Sequence, residues 1–519
     1  MRARPPAMNW SARSPAPFRD WRLSSELENG VTQASAFASF SEADWRASAS
    51  AALGGAKLET LMSRAADGVE LQPIYRRREG PRALSGESGW RRLARLDHPD
   101  AAAANDQALD DLANGADGLQ VVFAGGAGAY GFGLAAYDVV SLSRAFEGLR
   151  FDSAIRFELD LGPDGAGQAQ AFAALAAGGG VDLAKVDIVF GLDPIGALAR
   201  SGCATRPWDA EAVALANVVS ALQRQGFVGP FVAADARLVH AAGGSPAQEL
   251  GFALAAALAY LRALTENGFS LVSAAAAISF RLTADSDQLF TLAKFRALRL
   301  LWGRVREACG LDAAPARIHA ETDWRSLSAR DPYVNAMRGA SAAFSAGLGG
   351  ADSVAVLPFT QCFGLPDAAA RRLARNSQSI MIEEAHLGFV ADPAAGAGVF
   401  EALTEALCEK AWAAMQELER AGGLASALRE GGFQLAVAAE RARLVENAAR
   451  RESLESGRGA DADLTESSVT TLPAAPPAFP FAGDRVAEPL RPIRIAEPFE
   501  RLRAASDAAD LGASIGIGR

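Results

Sequence analysis

At 519 residues the chain is long enough for two to four domains, or for one large barrel with extensions, and half of its residues are apolar. A net charge of −10 gives no support to a nucleic-acid partner. Four scattered cysteines (Cys203, Cys309, Cys362, Cys408) form no CxxC pair, so they indicate neither a zinc site nor a disulfide framework and point to a reducing cytoplasm. The longest apolar run, 250–261, stops at Arg262 and is too short for a membrane span.

The first residues, MRARPPAMNWSARSPAP, are basic and free of acids until Asp20, as in a transit peptide, but they lack an apolar centre. A disordered tail is the simpler expectation, and either Met1 or Met8 could start the chain. Residues 18 to 64 set Phe18, Trp21, Phe37, Phe40 and Trp45 among polar neighbours, with Ser41, Glu42 and Asp44 reading as an N-cap and acidic first turn. This is either a helix packed on its own domain or an arm that lies on a partner.

From Arg76 to Arg95 the chain is strongly basic. Arg76, Arg78 and Arg92 are candidates for coenzyme A phosphate or partner contact, since arginine forks suit phosphate; a solvated basic strip is the plainer alternative. Beyond it, apolar strands at 119–124, 155–161, 186–190, 231–234, 278–282, 318–321 and 353–359 alternate with amphipathic helices such as 209–225 and 247–267. An eighth strand is expected near 389–390. Strand-helix alternation at this spacing implies parallel pairing with helical crossovers. The fold class is therefore α/β, and a (β/α)8 TIM-type barrel fits better than the alternative of an open doubly wound sheet.

Gly126-Ala127-Gly128-Ala129-Tyr130-Gly131 matches G-x-G-x-x-G between a strand and a helix, the setting of a dinucleotide site. Glycine and alanine are abundant throughout, however, and a chance match is the stronger reading. After 399 the chain reads as amphipathic helices with a turn at Gly422-Gly423. Residues 455 to 485 read as a linker whose LPAAPPAFPF segment is extended and semi-rigid.

Five ordered motifs lie between Asp331 and Gly396: DPYVNAMR (331–338), GGADSVAVLPF (349–359), RRLARNSQ (371–378), EEAHLG (383–388) and VADPAAG (390–396). Together they resemble the methylmalonyl-CoA mutase family, and its small (β) subunit more than its catalytic large one. The likeness runs from about residue 40 to 505 and includes Asp67–Tyr75, which resembles the lead-in to the family's barrel, and 495–503, which resembles the approach to its cobalamin domain. It implies four regions: an N-terminal arm and barrel lead-in (1–84), an acyl-CoA mutase-type barrel (85–400), C-terminal helices (401–454) and a linker and tail (455–519) that stop before a flavodoxin-like cobalamin domain. In that family the glycine loop lies at the mouth of the first barrel strand and binds no nucleotide.

The resemblance also implies chemistry, and the sequence departs from it. A tryptophan matches Trp90, but the family's essential tyrosine falls on Arg95. The histidine that meets the substrate thioester falls on Leu238, with His240 two residues on and on the same face if the segment is extended; a shifted register would restore it. In H-x-Q-T the histidine survives as His319 while the glutamine is Glu321. The ribose-binding asparagine and glutamate fall on Leu357 and Gln361. No histidine sits in the D-x-H-x-x-G setting that supplies cobalt's lower ligand. His319, Glu321, Gln361 and His240 are thus remnants of a barrel mouth, with no catalytic, cofactor-binding or metal residue among them.

The expectation is a non-catalytic small subunit, paired with a catalytic large subunit in an adenosylcobalamin-dependent mutase, with the cofactor in the complex and not on this chain alone. An acyl-CoA ligand stays possible. The alternative is a catalytic barrel working with a separately encoded cobalamin-binding chain.

Overall fold

The computed structural model describes residues 40–79, 84, 89–151, 154–450 and 468–508. They fall into two units. The smaller comprises residues up to Ser63 together with Glu70–Pro73; the larger comprises Arg64–Val69 and everything from Ile74 onward. In the smaller unit the helix Glu42–Ala52 begins with a capping box, in which the Ser41 hydroxyl accepts from the Asp44 amide and the Asp44 carboxylate accepts from the Ser41 amide. Phe40 beside it is 75% exposed. Phe18, Trp21 and Phe37 lie outside the described residues.

The larger unit is built on eight parallel strands: β1 (Arg91–Leu96), β2 (Gly118–Val122), β3 (Arg156–Asp160), β4 (Asp187–Val189), β5 (Val232–Asp235), β6 (Ile278–Ala284), β7 (Ile318–Thr322) and β8 (Ser353–Ala355). Each runs parallel to its neighbour, and β1 pairs with β8. Leu192, just past β4, bridges to Val232 of β5 and closes the ring. A helix follows every strand: α1 (Ala101–Ala113), α2 (Val139–Ala145), α3 (Gly165–Gly178), α4 (Trp208–Gln225), α5 (Pro246–Glu266), α6 (Gln288–Ala308), α7 (Pro332–Leu348) and α8 (Ala368–Ser379). This is a (β/α)8 barrel. Helices α9 (Gly398–Arg420), α10 (Leu424–Glu430) and α11 (Gly432–Ala449) follow. Among the described residues no helix is long and apolar enough to cross a membrane.

The local chemistry explains the breaks. Asp100 starts α1 by accepting from the Ala102 and Ala103 amides, and Ser245 and Gln248 form a capping box before Pro246 of α5. Helix α7 buries Gly339, Ala342, Ala343 and Ala346, and these small residues let its backbone sit close to the barrel.

Three expectations need correction. The first strand, β1, lies inside the stretch read as a basic strip, because RRLARL carries its arginines at both strand faces and hides its apolar pattern. Residues 389–390 form no strand; the ring is already complete, and Phe389 is 86% exposed. The glycine loop therefore follows the second strand, not the first.

Helix α7 also yields a stability prediction. A Cβ at Gly347 would stand 2.4 Å from the Trp90 ring, whose indole nitrogen is tied to Gln378 at 3.1 Å. The ring cannot step aside cheaply. Gly347→Ala should lower stability by about 1–3 kcal/mol in denaturant unfolding, although alanine normally favours a helix.

Candidate functional site

The interior of a (β/α)8 barrel is normally filled by branched apolar side chains. Here it is filled by charge. The register pairs Asp235 of β5 with Arg281 of β6, and Arg281 with His319 of β7. Arg281 donates to Glu158 of β3 at 2.8 Å and to the Leu159 carbonyl at 2.6 Å, and Asp235, Arg281 and Glu158 are all buried. His319 shares a 2.9 Å hydrogen bond with the Ser353 hydroxyl; burial and the nearby Arg237 and Arg281 hold its ring well below its usual value, so it is neutral.

Above this layer, at the C-terminal ends of the strands, Arg237 is the hub. Its guanidinium meets Asp235 (2.9 Å), Asp160 (2.9 Å) and Glu321 (2.9 Å). Glu321 also accepts from Gln120 at 2.6 Å, from Arg95 at 3.2 Å and from the Tyr130 hydroxyl at 3.3 Å. Burial nevertheless pushes Glu321 above its ordinary value, while arginines pull Asp160 below its own. Arg95 reaches Asp97 at 2.7 Å, and Asp97 is also held by Arg371 at 2.6 Å and Gln361 at 3.3 Å. Burial opposes ionisation of Asp97, yet Arg371 and Arg95 draw it down to about 2. Tyr130 stacks on Trp324 with centroids 4.5 Å apart.

The glycine loop belongs to the same network. The amides of Ala127 and Gly128 each donate to the Asp160 carboxylate at 3.0 Å. The donors that would cradle a phosphate are spent on an internal carboxylate.

The predicted site residues separate into groups. Glu321 and Gln361 join the charged cluster, and His319 sits in the layer beneath. His240 does not. Residues 237–241 are a short helix, not an extended segment, so Leu238 and His240 point in different directions. The His240 ring faces Asp323 at 3.1 Å, Glu249 at 3.6 Å and Asp285 at 3.9 Å. Arg92 stands at the opposite, N-terminal end of the barrel, bound to Asp117 at 2.9 Å and to Glu383. Arg78 pairs with Glu405 and Glu401 of α9, and Arg76 is exposed on the segment before β1. The three arginines gather around no common point.

Residue-level reading missed Asp97, Glu158, Asp160, Asp235, Arg237, Arg281 and Arg371. One signal was available: Arg156, Glu158 and Asp160 alternate along β3, a period-2 polar face pointing inward.

A cavity of about 440 Å³ adjoins the cluster: Asp160, Asp235 and Arg281 line it together with Asp193, Arg200 and Phe481. The Arg200 Nε is buried without a hydrogen-bond partner among the described residues, and its guanidinium lies 5.3 Å from the Phe481 ring centroid. Asp193 accepts from the Gly196 amide at 2.9 Å and from the Tyr260 hydroxyl; burial and the neighbouring Asp235 push its carboxyl up to about 7.

Two outcomes follow. Glu321→Gln leaves Arg95 and Arg237 short of a buried counter-charge. It should cost about 3 kcal/mol of unfolding free energy, in the range for breaking a buried pair. Asp193 has a folded-state value above its unfolded 3.8, so its contribution is full below that value and is lost as pH rises towards 7. Asp193→Asn removes that loss. Since Asp193 is only half-buried, the variant should gain about 1–2 kcal/mol over the parent at pH 8 relative to pH 4, read from unfolding curves at both values. Parallel pH profiles would contradict this.

The family model described as methylmalonyl-CoA mutase matches residues 86–459. A methylmalonyl-CoA mutase small subunit of Streptomyces virginiae is 37% identical over 475 residues, covering 88% of this chain and 73% of that protein. The small subunit of Propionibacterium freudenreichii subsp. shermanii is 43% identical over 241 residues, 46% of this chain and 37% of its own length. That of Porphyromonas gingivalis is 32% identical over 270 residues, 51% of this chain and 44% of its own. The aligned stretch thus spans less than half of the last two relatives. With a family model over most of the chain, and relatives that carry the small-subunit name, the chain belongs to the methylmalonyl-CoA mutase family, on its small-subunit side.

Proposed function

We propose that this chain is a non-catalytic small subunit. It pairs with a catalytic large subunit that interconverts methylmalonyl-CoA and succinyl-CoA with adenosylcobalamin, in the cytoplasm. One observation supports the reading: the barrel interior and mouth are occupied by buried charges paired with one another. A thioester threaded there would have to displace buried arginines and carboxylates, each of which is costly to leave unpaired. The departures at Arg95, Leu238, Glu321 and Gln361 point the same way.

Neither histidine at the barrel mouth or in its lumen fits the cofactor. His319 is enclosed in the lumen on Ser353, and His240 is enclosed among carboxylates, so neither ring can reach a cobalt ion. The barrel mouth offers charge where a corrin face would need a largely apolar platform. No step of the reaction is assigned to this chain.

What this chain contributes is a partner surface. The exposed Phe40 favours an arm that covers apolar side chains against the large subunit, a contact of about 2,000 Å² or more if the pairing is obligate. Of the basic strip, Arg78, Arg92 and Arg95 are engaged in intramolecular pairs, which weakens its part in that contact. The alternative, a catalytic barrel served by a separate cobalamin-binding chain, has the cavity beside Asp193 and Arg200 in its favour.

Purified alone, the chain should neither isomerise methylmalonyl-CoA nor change the spectrum of added adenosylcobalamin. Co-expressed with a large subunit it should co-purify stoichiometrically, and deleting residues 1–60 should weaken that association while leaving the barrel folded. Turnover by the chain alone would overturn the proposal.

A further inference from the structure

After α11 the chain returns to the C-terminal mouth of the barrel and follows its rim. Thr471–Leu472 pairs antiparallel with Leu365–Pro366, just after β8. Asp484–Arg485 pairs antiparallel with Cys203–Ala204, after β4. In a closed ring of eight strands these two anchors lie on opposite sides. Beyond the second anchor the chain is stitched down by backbone bonds: Ala487 to Gly202, Leu490 to Ala199, Ile493 to Ala241 and Ile495 to Arg325, at 2.8–3.0 Å.

The span between the anchors, 473–483, is held differently. Among the described residues it makes no backbone hydrogen bond. Pro473, Pro476, Pro477 and Pro480 lack the N–H to donate one and keep the segment extended and semi-rigid. Two aromatic rings hold it in place. Phe479 lies so close to Gly125, after β2, that a Cβ there would stand 2.6 Å from the ring, and Phe481 lies against Arg200. Pro480, Phe481 and Ala482 form one wall of the 440 Å³ cavity. At the second anchor Gly483 has φ 93° and its missing Cβ leaves room for the Ala204 carbonyl, a hinge only glycine accommodates.

We propose that residues 473–483 form a hinged strap that gates this cavity. Pinned at both ends, stiff between them and held by Phe479 and Phe481, the strap lifts as a unit when the rings release, and the cavity, already solvent-exposed at Asp164, Arg206 and Arg429, widens on the Cys203 side. Segments with few buried contacts and no backbone ladder open at far lower cost than the core they cover. This goes beyond the assignment as a small subunit and does not depend on it.

Cys203 lines the cavity and reports access. The test is site-resolved alkylation of the full chain by iodoacetamide, followed by peptide mass spectrometry. Phe479→Ala/Phe481→Ala should speed modification of Cys203 at least about tenfold, with Cys309 and Cys408 unchanged as controls for an intact fold. Phe481→Leu, which keeps an apolar side chain but loses the ring over Arg200, should give a smaller selective increase of about threefold. Equal Cys203 rates in parent and both variants would overturn the gate. So would acceleration of all three cysteines together, which would make the strap a structural brace.

Discussion

The Arg237 guanidinium, buried where Asp160, Asp235 and Glu321 converge, is the interaction on which this barrel depends. Three carboxylates brought this close would repel one another in a medium of low polarity. One delocalised cation with five N–H donors satisfies them in three directions. The partners come from β3, β5 and β7, so the pairing ties distant parts of the ring together at its centre. Arg281 repeats the arrangement one layer below with Glu158 and Asp235, and Arg95 repeats it at the rim with Asp97 and Glu321.

Such a network has a functional consequence. Buried ion pairs add little net stability when compared with well-packed apolar residues, but breaking one is expensive. A lumen built this way is rigid and resists entry. It differs in kind from a preformed ligand pocket, where a few polar groups wait for a partner. Here most of the charged groups are paired with one another, and the backbone amides of the glycine loop hold Asp160, although the Gln120 and Gln361 amide oxygens and His319 Nε2 keep no hydrogen-bond partner among the described residues. A barrel whose lumen holds an internal salt network is suited to be a scaffold. The space that stays open meets the network at Asp160, Asp235 and Arg281 and runs beneath the strap.

Much of the fold was legible in the sequence, for a physical reason. Seven strands fall at regular intervals between helices, most of them with an apolar outward face, and parallel strands covered by helices read this way. The eighth, RRLARL, was hidden because Arg91 and Arg92 serve pairs outside the lumen and Arg95 serves the cluster within it. The site was less legible. His319, Glu321 and Gln361 could be placed by motif, but Arg237 owes its role to residues 77 positions before it and 84 after it, and no local pattern announces such a meeting. His240 shows a further limit: a two-residue offset means the same face on a strand and nearly opposite faces on a helix, and only the structure decides which applies.

The central claim, that the barrel is filled by its own charges and no longer takes a thioester, is most directly tested by titrating methylmalonyl-CoA into the purified chain in a calorimeter. The expected result is no saturable heat at ligand concentrations up to about a millimolar, the weak end of specific affinity. A saturable one-to-one isotherm that disappears in Arg237→Ala would contradict it, because the ligand would then occupy the very place the network is said to close.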